Sequence, residues 1–235
     1  QKIFLDNETK VVIGVDDKYC LNIRQFLSKF RDNITAISGD TLPENGVGWC
    51  DGYMCDKTPI MPAIEHLDGV HNRQNIAAAY AIVRQFNVTD RQFVDSLKSF
   101  KGLEHRQEVF VCNGIKFVND SKATNADATE YALKRFIDED IIWILGGKPK
   151  EDGIASLAKY FSRVKKIFLI GESSDEFANV LDGYVKYEKV GILENAVRKG
   201  IESCQEYQRP VLLFSPACAS FDQFKNFEER GKMFK

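Results

Sequence analysis

Residues 141–150 read IIWILGGKPK, and this stretch indicates the class of fold. The five apolar residues at 141–145 form the continuous run that is typical of a buried strand in a parallel sheet. Short β-rich runs alternate with helical patterns along the rest of the chain, as is typical of α/β proteins with a mostly parallel sheet. The sequence therefore predicts an α/β fold.

Two regions lie on either side of residues 100–106, a glycine-containing connector without a clear period. Before the connector we expect strands at 11–15 and 34–38, hairpins within 39–68, and helices at about 18–30, 71–86 and 90–99. After it, Asn113-Gly114 between two β runs predicts a hairpin, because both turn residues must take a positive φ. We then expect strands at 141–145, 166–170, 185–187 and 211–214, and helices at 154–161, 175–181, 192–204 and from about Ser220. The sequence thus predicts two domains, 1–99 and 100–235.

The bulk composition is that of an ordinary globular chain and excludes several functions. The net charge of -2 lacks the basic excess of general nucleic-acid-binding proteins. No apolar run approaches the roughly 20 residues that span a bilayer, and the first residues do not resemble a signal peptide. The six cysteines form no C-x-x-C pair and there are three histidines, which argues against a structural zinc site. We expect a cytoplasmic protein with reduced thiols and with neither a membrane nor a nucleic-acid partner.

Two asparagines open the alanine-rich helix that is predicted at 71–86. Asn72 and Asn75 are three residues apart, so they share one face of the helix start. An asparagine side chain presents a donor and an acceptor together, which suits the edge of a purine. An N-cap with a polar first turn explains the same residues equally simply.

Residues 118–125, VNDSKATN, place polar groups directly after an apolar strand and before a helix. Ligands of open α/β sheets bind outside the carboxyl ends of the strands, so a site is expected at this position. Asp120 can accept from ribose hydroxyls, Lys122 can neutralise a phosphate or carboxylate, and Thr124 can donate to one. The alternative is a loop that only caps the next helix.

A second polar loop follows the strand at 141–145. Gly146 and Gly147 allow a ligand to approach the backbone closely, and Lys148 and Lys150 suggest an anionic substrate. The segment is not a phosphate-binding loop of the G-K-[S/T] type, since no serine or threonine follows the lysine. A turn with solvated lysines remains the alternative.

Residues 214–231, FSPACASFDQFKNFEERG, lead from a strand through small residues into a helix whose N-terminus can hold an anion. Cys218 invites a reading as a nucleophile. No histidine lies near it in the sequence, so a small buried thiol is the favoured interpretation.

These four segments, in this order and spacing, resemble the Mur ligases of peptidoglycan-precursor synthesis, and in particular those that add D-glutamate. The blocks DSKATN at 120–125 and SPACASFDQFKNFEERG at 215–231 are the most distinctive. The resemblance covers essentially the whole chain. It implies that residues 1–99 are the last, incomplete part of a central ATPase domain and that residues 100–235 form a complete Rossmann-like C-terminal domain that brings in the amino acid.

The resemblance also implies a reaction. In this family ATP phosphorylates the carboxylate of UDP-N-acetylmuramoyl-L-alanine, and the amine of D-glutamate attacks the acyl phosphate to form an amide. The family's glycine-rich phosphate loop and its Mg²⁺ ligands lie upstream of the matched region. We therefore expect no metal ligands in this sequence and no activity of the chain alone.

Residue roles follow from the resemblance, position by position. The nucleotide contacts would be Asn72 and Asn75 at adenine, Asp120 at ribose and Arg106 at the γ-phosphate. The D-glutamate contacts would be Lys122, Thr124, Lys150, Ser220 and the backbone near Phe227, with Arg106 and Lys122 as the catalytic pair.

Three other interpretations remain open. A sister Mur ligase or a folylpolyglutamate synthase would share the fold, although those enzymes typically have a D-x-x-H-N-P-like block where this chain has DSKAT at 120–124. A nucleotide-binding module without catalysis and a Rossmann-like interaction domain are the alternatives outside the ligases.

Overall fold

The computed structural model describes residues 9–30, 32–64, 67, 69–150 and 153–235. The chain forms two compact units, Gln1–Gly102 and Leu103–Lys235. We call them the first and the second unit. The division lies three residues beyond the predicted boundary between residues 99 and 100. Within the described ranges, no helix is long and apolar enough to cross a bilayer.

The first unit contains a five-stranded sheet in the order β1-β2-β3-β4-β5. Its strands are β1 (Val11–Gly14), β2 (Ile34–Ile37), β3 (Gly46–Cys50), β4 (Tyr53–Asp56) and β5 (Thr58–Pro62). The first three strands are parallel, whereas β3, β4 and β5 form antiparallel hairpins. The prediction of hairpins within 39–68 is therefore confirmed, with the addition that β3 also extends the parallel part.

Helices α1 (Lys18–Leu27), α2 (Val70–Val83) and α3 (Asp90–Ser99) complete the first unit. Asp17 caps α1, since its carboxylate accepts from the backbone N–H groups of Tyr19 and Cys20. Thr89 and Gln92 form a capping box at the start of α3. The core lies between the sheet and the apolar faces of α2 and α3, where Trp49, Met54, Tyr80 and Phe93 are buried.

The second unit contains a six-stranded sheet in the order β10-β9-β8-β11-β7-β6. Its strands are β6 (Glu108–Cys112), β7 (Ile115–Asn119), β8 (Asp140–Gly146), β9 (Val164–Ile170), β10 (Tyr187–Gly191) and β11 (Pro210–Phe214). All neighbours are parallel except β6 and β7. These two form the predicted hairpin, whose turn residues Asn113 and Gly114 have φ of 50° and 80°.

Helices cover both faces of this sheet. They are α4 (Ala126–Arg135), α5 (Ala158–Phe161, preceded by a 3-10 turn), α6 (Ser174–Leu181), α7 (Leu193–Cys204) and α8 (Phe227–Phe234). Successive residues of β8 alternate between two cores. Trp143 and Leu145 face α4, α5 and α6, whereas Ile142 and Ile144 face α7 and α8. The continuous apolar run at 141–145 thus belongs to a strand that is buried on both sides, and the α/β prediction is confirmed.

Two predicted boundaries in the second unit are wrong. The strand predicted at 185–187 begins two residues later, because the residues that pair with β9 start at Tyr187. The helix predicted from about Ser220 begins only at Phe227, where the Asn226 side chain caps it by accepting from the Glu229 N–H at 2.7 Å. Residues 220–226 instead form a turn, in which the N–H groups of Gln223 and Phe224 donate to the Ser220 carbonyl, and the extended backbone of Asn226, with a φ of -160°, separates this turn from the helix.

The last strand in the sequence lies in the middle of the sheet. β11 pairs with β8 on one side and with β7 on the other. The chain passes outward from β8 to β9 and β10 and then returns to this central position, which makes β11 the point where the strand order reverses. Open α/β sheets bind their ligands at the carboxyl ends of the strands around such a point.

Candidate functional site

Four loops meet at the carboxyl ends of the parallel strands in the second unit. We name them by the strand they follow: the β7 loop (120–125), the β8 loop (147–150), the β9 loop (171–173) and the β11 loop (215–226). Together they form what we call the carboxyl edge.

The β11 loop crosses this edge and is hydrogen-bonded to the ends of three parallel strands. Ala219 forms two backbone hydrogen bonds with Lys148 of the β8 loop: the Lys148 N–H donates to the Ala219 carbonyl at 3.0 Å, and the Ala219 N–H donates to the Lys148 carbonyl at 3.1 Å. The Glu172 N–H donates to Asp222 Oδ2 at 3.3 Å, and Gln223 Nε2 donates to the carbonyl of Gly191 at 2.9 Å. The loop is therefore held at the ends of β8, β9 and β10.

The crossing is close enough to require a glycine beneath it. A Cβ on Gly147 would lie 2.6 Å from the carbonyl oxygen of Ala219, well inside a normal contact, and φ at Gly147 is 141°. The paired glycines that suggested a close ligand approach thus also let one segment of the protein pass over another.

A buried arginine ties the β11 loop to the β7 loop. Arg230, in α8, is 1% exposed. Its Nε donates to Ser121 Oγ at 3.1 Å and its Nη2 to the Ser121 carbonyl at 2.8 Å. It also donates to the carbonyls of Cys218 at 3.0 Å and Ala219 at 3.1 Å. Burial lowers the pKa of the guanidinium to about 10, so it remains charged at neutral pH.

The structure brings Lys122 and Phe227 together. Lys122 Nζ lies 4.0 Å from the centroid of the Phe227 ring, within the range of a cation–π contact. Ser121 Oγ donates to the Phe227 carbonyl at 2.8 Å, so the β7 loop and the start of α8 are also joined through the backbone. These two residues, both predicted to bind D-glutamate, are therefore in contact with each other.

The other three predicted D-glutamate residues lie in loops of the same edge. Ser220 is 2% exposed, and its carbonyl accepts from the N–H groups of Gln223 and Phe224. Lys150 is exposed at the end of the β8 loop, and Thr124 is half-buried in the β7 loop. The five predicted residues thus lie in three loops of the carboxyl edge and at the start of α8.

Asp120 is buried rather than open to solvent. It is 3% exposed, its Oδ2 accepts from Ser215 Oγ at 2.7 Å, and its Oδ1 accepts from the Gln107 N–H at 3.2 Å. Burial raises its pKa to about 7, although the two hydrogen bonds and the nearby Arg106 partly oppose this shift.

Arg106 is exposed and stands between two residues with positive φ, His105 at 64° and Gln107 at 47°. The imidazole of His105 is buried, and its Nδ1 accepts from Asn119 Nδ2 at 3.0 Å. The same amide donates to the Gly231 carbonyl at 2.9 Å, which fixes its orientation. The turn that presents Arg106 is thereby attached to β7 and to α8.

In the first unit, Asn72 and Asn75 lie in the first two turns of α2, Asn72 half-buried and Asn75 exposed. The cap of this helix is Gly69, which offers no side-chain hydrogen bond. Neither asparagine is therefore the N-cap, whereas Asn72 does lie in the polar first turn that the alternative interpretation expected.

The sequence analysis assigned no role to four buried polar residues that lie next to the predicted ligands. They are Arg230, His105, Asn119 and Ser215. No sequence signal distinguishes a buried arginine from an exposed one. Within the described residues, no three His, Cys, Asp or Glu side chains are grouped closely enough to bind a metal ion. All six cysteines are free, and Cys218 is buried, with a pKa that burial raises to about 11.

Comparisons with known proteins identify the family to which this chain is similar. The family model described as Mur ligase, glutamate ligase domain, matches residues 105–218, which include the β7 and β8 loops and part of the β11 loop. Among solved structures, a UDP-N-acetylmuramoylalanyl-D-glutamyl-2,6-diaminopimelate--D-alanyl-D-alanyl ligase from Acinetobacter baumannii has a TM-score of 0.66 at 17% identity, covering 95% of this chain and 51% of that one. A folylpolyglutamate synthase from Thermotoga maritima has a TM-score of 0.62 at 12% identity, covering 97% and 57%. At these identities the likeness shows the fold alone.

Sequence relatives are more specific. The chain is 41% identical over 235 residues to a UDP-N-acetylmuramoylalanine--D-glutamate ligase of Rhodospirillum rubrum, which covers 95% of this chain and 49% of the relative. It is 48% identical over 167 residues to the enzyme of that name from Wolbachia pipientis, covering 70% and 32%. The chain belongs to the Mur ligase family. Both relatives bear the name of a D-glutamate ligase, and the chain spans about half the length of the R. rubrum relative.

The close crossing at Gly147 generates a prediction about stability. Gly114 also has a positive φ, but a Cβ there would meet nothing within 4 Å. We expect Gly114→Ala to cost about 1–2 kcal/mol through backbone strain, and Gly147→Ala to cost about 1–3 kcal/mol more, because its Cβ also overlaps the Ala219 carbonyl. Urea unfolding followed by Trp143 fluorescence, in a Trp49→Phe background, measures both. Equal losses would contradict the close crossing.

Burial of Asp120 generates a second prediction. Its pKa is about 7 in the folded unit and about 3.9 in an unfolded chain. Between these values the folded unit keeps a proton that the unfolded chain has released, so this group's contribution to stability falls as pH rises, by up to about 1.4 kcal/mol per pH unit. Asp120→Asn removes this term. The unfolding free energy of the variant, relative to the parent, should rise between about pH 4 and pH 7. A constant difference across that window would show that folded Asp120 is ionised throughout.

Proposed function

We propose that this chain carries the D-glutamate-binding part of an ATP-dependent ligase that joins D-glutamate to UDP-N-acetylmuramoyl-L-alanine in peptidoglycan-precursor synthesis. The observation that carries the proposal is the convergence of the β7 loop and the start of α8, where Lys122 lies against Phe227 at the carboxyl edge. The names of the sequence relatives support the choice of substrate.

Free D-glutamate has two carboxylates, and the residues at this edge suit both. Lys122 and Lys150 supply positive charge from two different loops. Thr124 and Ser220 supply hydroxyl donors, and the backbone near Phe227 supplies a further polar contact. Charge-assisted hydrogen bonds of this kind are about twice as strong as neutral ones, and they fix the direction of the ligand.

The first unit would carry the nucleotide. In this proposal residues 1–99 form the last part of a central ATP-binding domain, and Asn72 and Asn75 present amide donors and acceptors to adenine from α2. Arg106, which is exposed on its turn, would reach the γ-phosphate. Asp120 would bind ribose, and because it is 3% exposed this contact requires the residues that cover it to move.

The reaction itself would proceed through an acyl phosphate. ATP phosphorylates the carboxylate of UDP-N-acetylmuramoyl-L-alanine, the D-glutamate amine attacks, and phosphate leaves. Lys122 and Arg106 would stabilise the charge that develops near the transferred group. Much of the acceleration in such a reaction comes from holding the amine close to the activated carbonyl. Mg²⁺ ligands would come from the half of the relatives' length that this chain does not span.

The alternative functions have less support. The likeness to folylpolyglutamate synthase and to the A. baumannii ligase extends to the fold only, whereas identities of 41% and 48% connect the chain to D-glutamate ligases. A module that only binds nucleotide does not explain why lysines and hydroxyls from three loops are assembled in the second unit. We further propose that the protein acts in the cytoplasm on these small-molecule substrates.

Binding of D-glutamate to the 235-residue chain tests the proposal. Lys150→Ala should weaken D-glutamate binding by about ten- to hundredfold, since one charge-assisted contact contributes about 1.5–3 kcal/mol. The matched control is Lys186→Ala, an exposed lysine just before β10, at the opposite edge of the sheet. Isothermal titration calorimetry with D- and L-glutamate measures both variants. Identical affinities for the two variants would make Lys150 a turn lysine only.

Catalysis by the isolated chain is a separate matter. We expect no phosphate release from ATP in the presence of D-glutamate, UDP-N-acetylmuramoyl-L-alanine and Mg²⁺, because the sequence contains no G-K-[S/T] phosphate loop. A coupled assay for inorganic phosphate, with the R. rubrum relative as the positive control, measures this. Release that depends on both organic substrates would contradict the proposed division of labour.

A further inference from the structure

The guanidinium of Arg230 donates four hydrogen bonds to loops of the carboxyl edge. This arginine is the fourth residue of α8, and its guanidinium reaches Ser121 in the β7 loop through Nε and Nη2. The same guanidinium reaches Cys218 and Ala219 in the β11 loop through Nη2 and Nη1. One side chain therefore holds two loops that are about a hundred residues apart in sequence.

The residues that Arg230 grips stand directly before the proposed D-glutamate ligands. Ser121 precedes Lys122, and Ala219 precedes Ser220. Ser121 Oγ, which accepts from Arg230, also donates to the Phe227 carbonyl. The relative positions of Lys122, Ser220 and Phe227 are thus fixed by the geometry of a single planar group.

The charge of Arg230 is not neutralised by the protein. Its four acceptors are one hydroxyl and three carbonyl oxygens, and no carboxylate of the described residues forms a salt bridge with it. Asp222 is the negative side chain that acts on it from a distance. A buried cation without an anionic partner is costly for a fold, and a neutral group serves better where only packing is needed.

We propose that Arg230 is a positioning residue for a dicarboxylate ligand: it holds the Lys122 and Ser220 loops in one fixed arrangement, and its unneutralised charge adds to the positive potential that attracts the ligand. This inference rests on the proposed function of the carboxyl edge as the D-glutamate site. A lysine cannot replace it, because an ammonium does not reproduce a planar fork that donates in several fixed directions.

The test compares Arg230→Lys and Arg230→Gln with Lys232→Gln in the 235-residue chain. Lys232 is exposed two residues further along α8 and is the matched control for loss of one positive charge. The first readout needs no ligand: the ε-methylene protons of Lys122 are shielded by the Phe227 ring, and their NMR shift reports whether the two loops are in place. The second readout is the dissociation constant of D-glutamate.

We expect both Arg230 variants to lose the shielding of Lys122 and to bind D-glutamate about tenfold more weakly or worse, as for the loss of one charged hydrogen-bond group. Lys232→Gln should retain the shielding and stay within about twofold of the parent affinity. A folded Arg230→Gln chain with normal shielding and affinity overturns the inference. Recovery of both readouts in Arg230→Lys also overturns it, because charge without the fork would then suffice.

Two further outcomes are separable. If Arg230→Gln does not fold, Ser121→Ala replaces it as the test variant. This change removes one acceptor of Arg230 and the hydroxyl that donates to Phe227, but it leaves the arginine in place, and it should shift both readouts in the same direction. Unchanged shielding and affinity in Ser121→Ala would contradict the inference. If the parent chain does not bind D-glutamate, the proposed function fails. The Lys122 resonance in the Arg230 variants then decides the positioning role alone.

Discussion

A Cβ at position 147 would lie 2.6 Å from the carbonyl oxygen of Ala219, so this position beneath the β11 loop requires glycine. The close approach brings Ala219 beside Lys148, and the β-bridge between these two residues holds the β11 loop against the β8 loop. The other contacts of the carboxyl edge depend on this crossing. The guanidinium of Arg230 then spans the remaining gap to the β7 loop. The separate loops of the site are thereby joined to one another, and Ala217 and Cys218 of the β11 loop also belong to the apolar core.

The fold could be predicted where one local signal determines a structure. The run at 141–145 has a single reasonable place in an α/β protein, and Asn113-Gly114 specifies its turn through its backbone angles alone. The start of the last helix could not be predicted in the same way. Residues 220–226 contain no glycine or proline that would exclude a helix, yet they form a turn. The β11 loop is hydrogen-bonded there, through Ala219 and Asp222, to the β8 and β9 loops, which are about 50 to 70 residues away in sequence. Local propensity cannot register a partner at that distance.

The candidate site shows the same contrast between what local sequence signals predict and what only the folded structure shows. Lys122 and Lys150 could be placed at the carboxyl edge because the strand ends can be located from the sequence. The roles of these two lysines as ligands stay predictions, and so does the role of Ser220, which the family resemblance alone implied. The buried residues next to them could not be identified from the sequence. His105 and Asn119 are recognisable only once the amide of Asn119 is seen to bridge the imidazole and α8. Arg230 is a charged residue in a helix that a sequence pattern assigns to the surface. The residues that hold the site in place are identified by their neighbours in the folded structure, whereas the candidate ligands are identified by their position after a strand in the sequence.

The central position of β11 has a consequence for how the second unit is made. Among the described strands it is the last to leave the ribosome, yet β8 and β7 pair only through it. Until it arrives, the strands β8 to β10 and the β6–β7 hairpin lack the strand that joins them. Pairings of such long sequence separation are slow to form, and unfinished sheets are prone to aggregation. The strand that completes the sheet is followed at once by the β11 loop. The carboxyl edge is therefore complete only in a molecule whose sheet already contains β11.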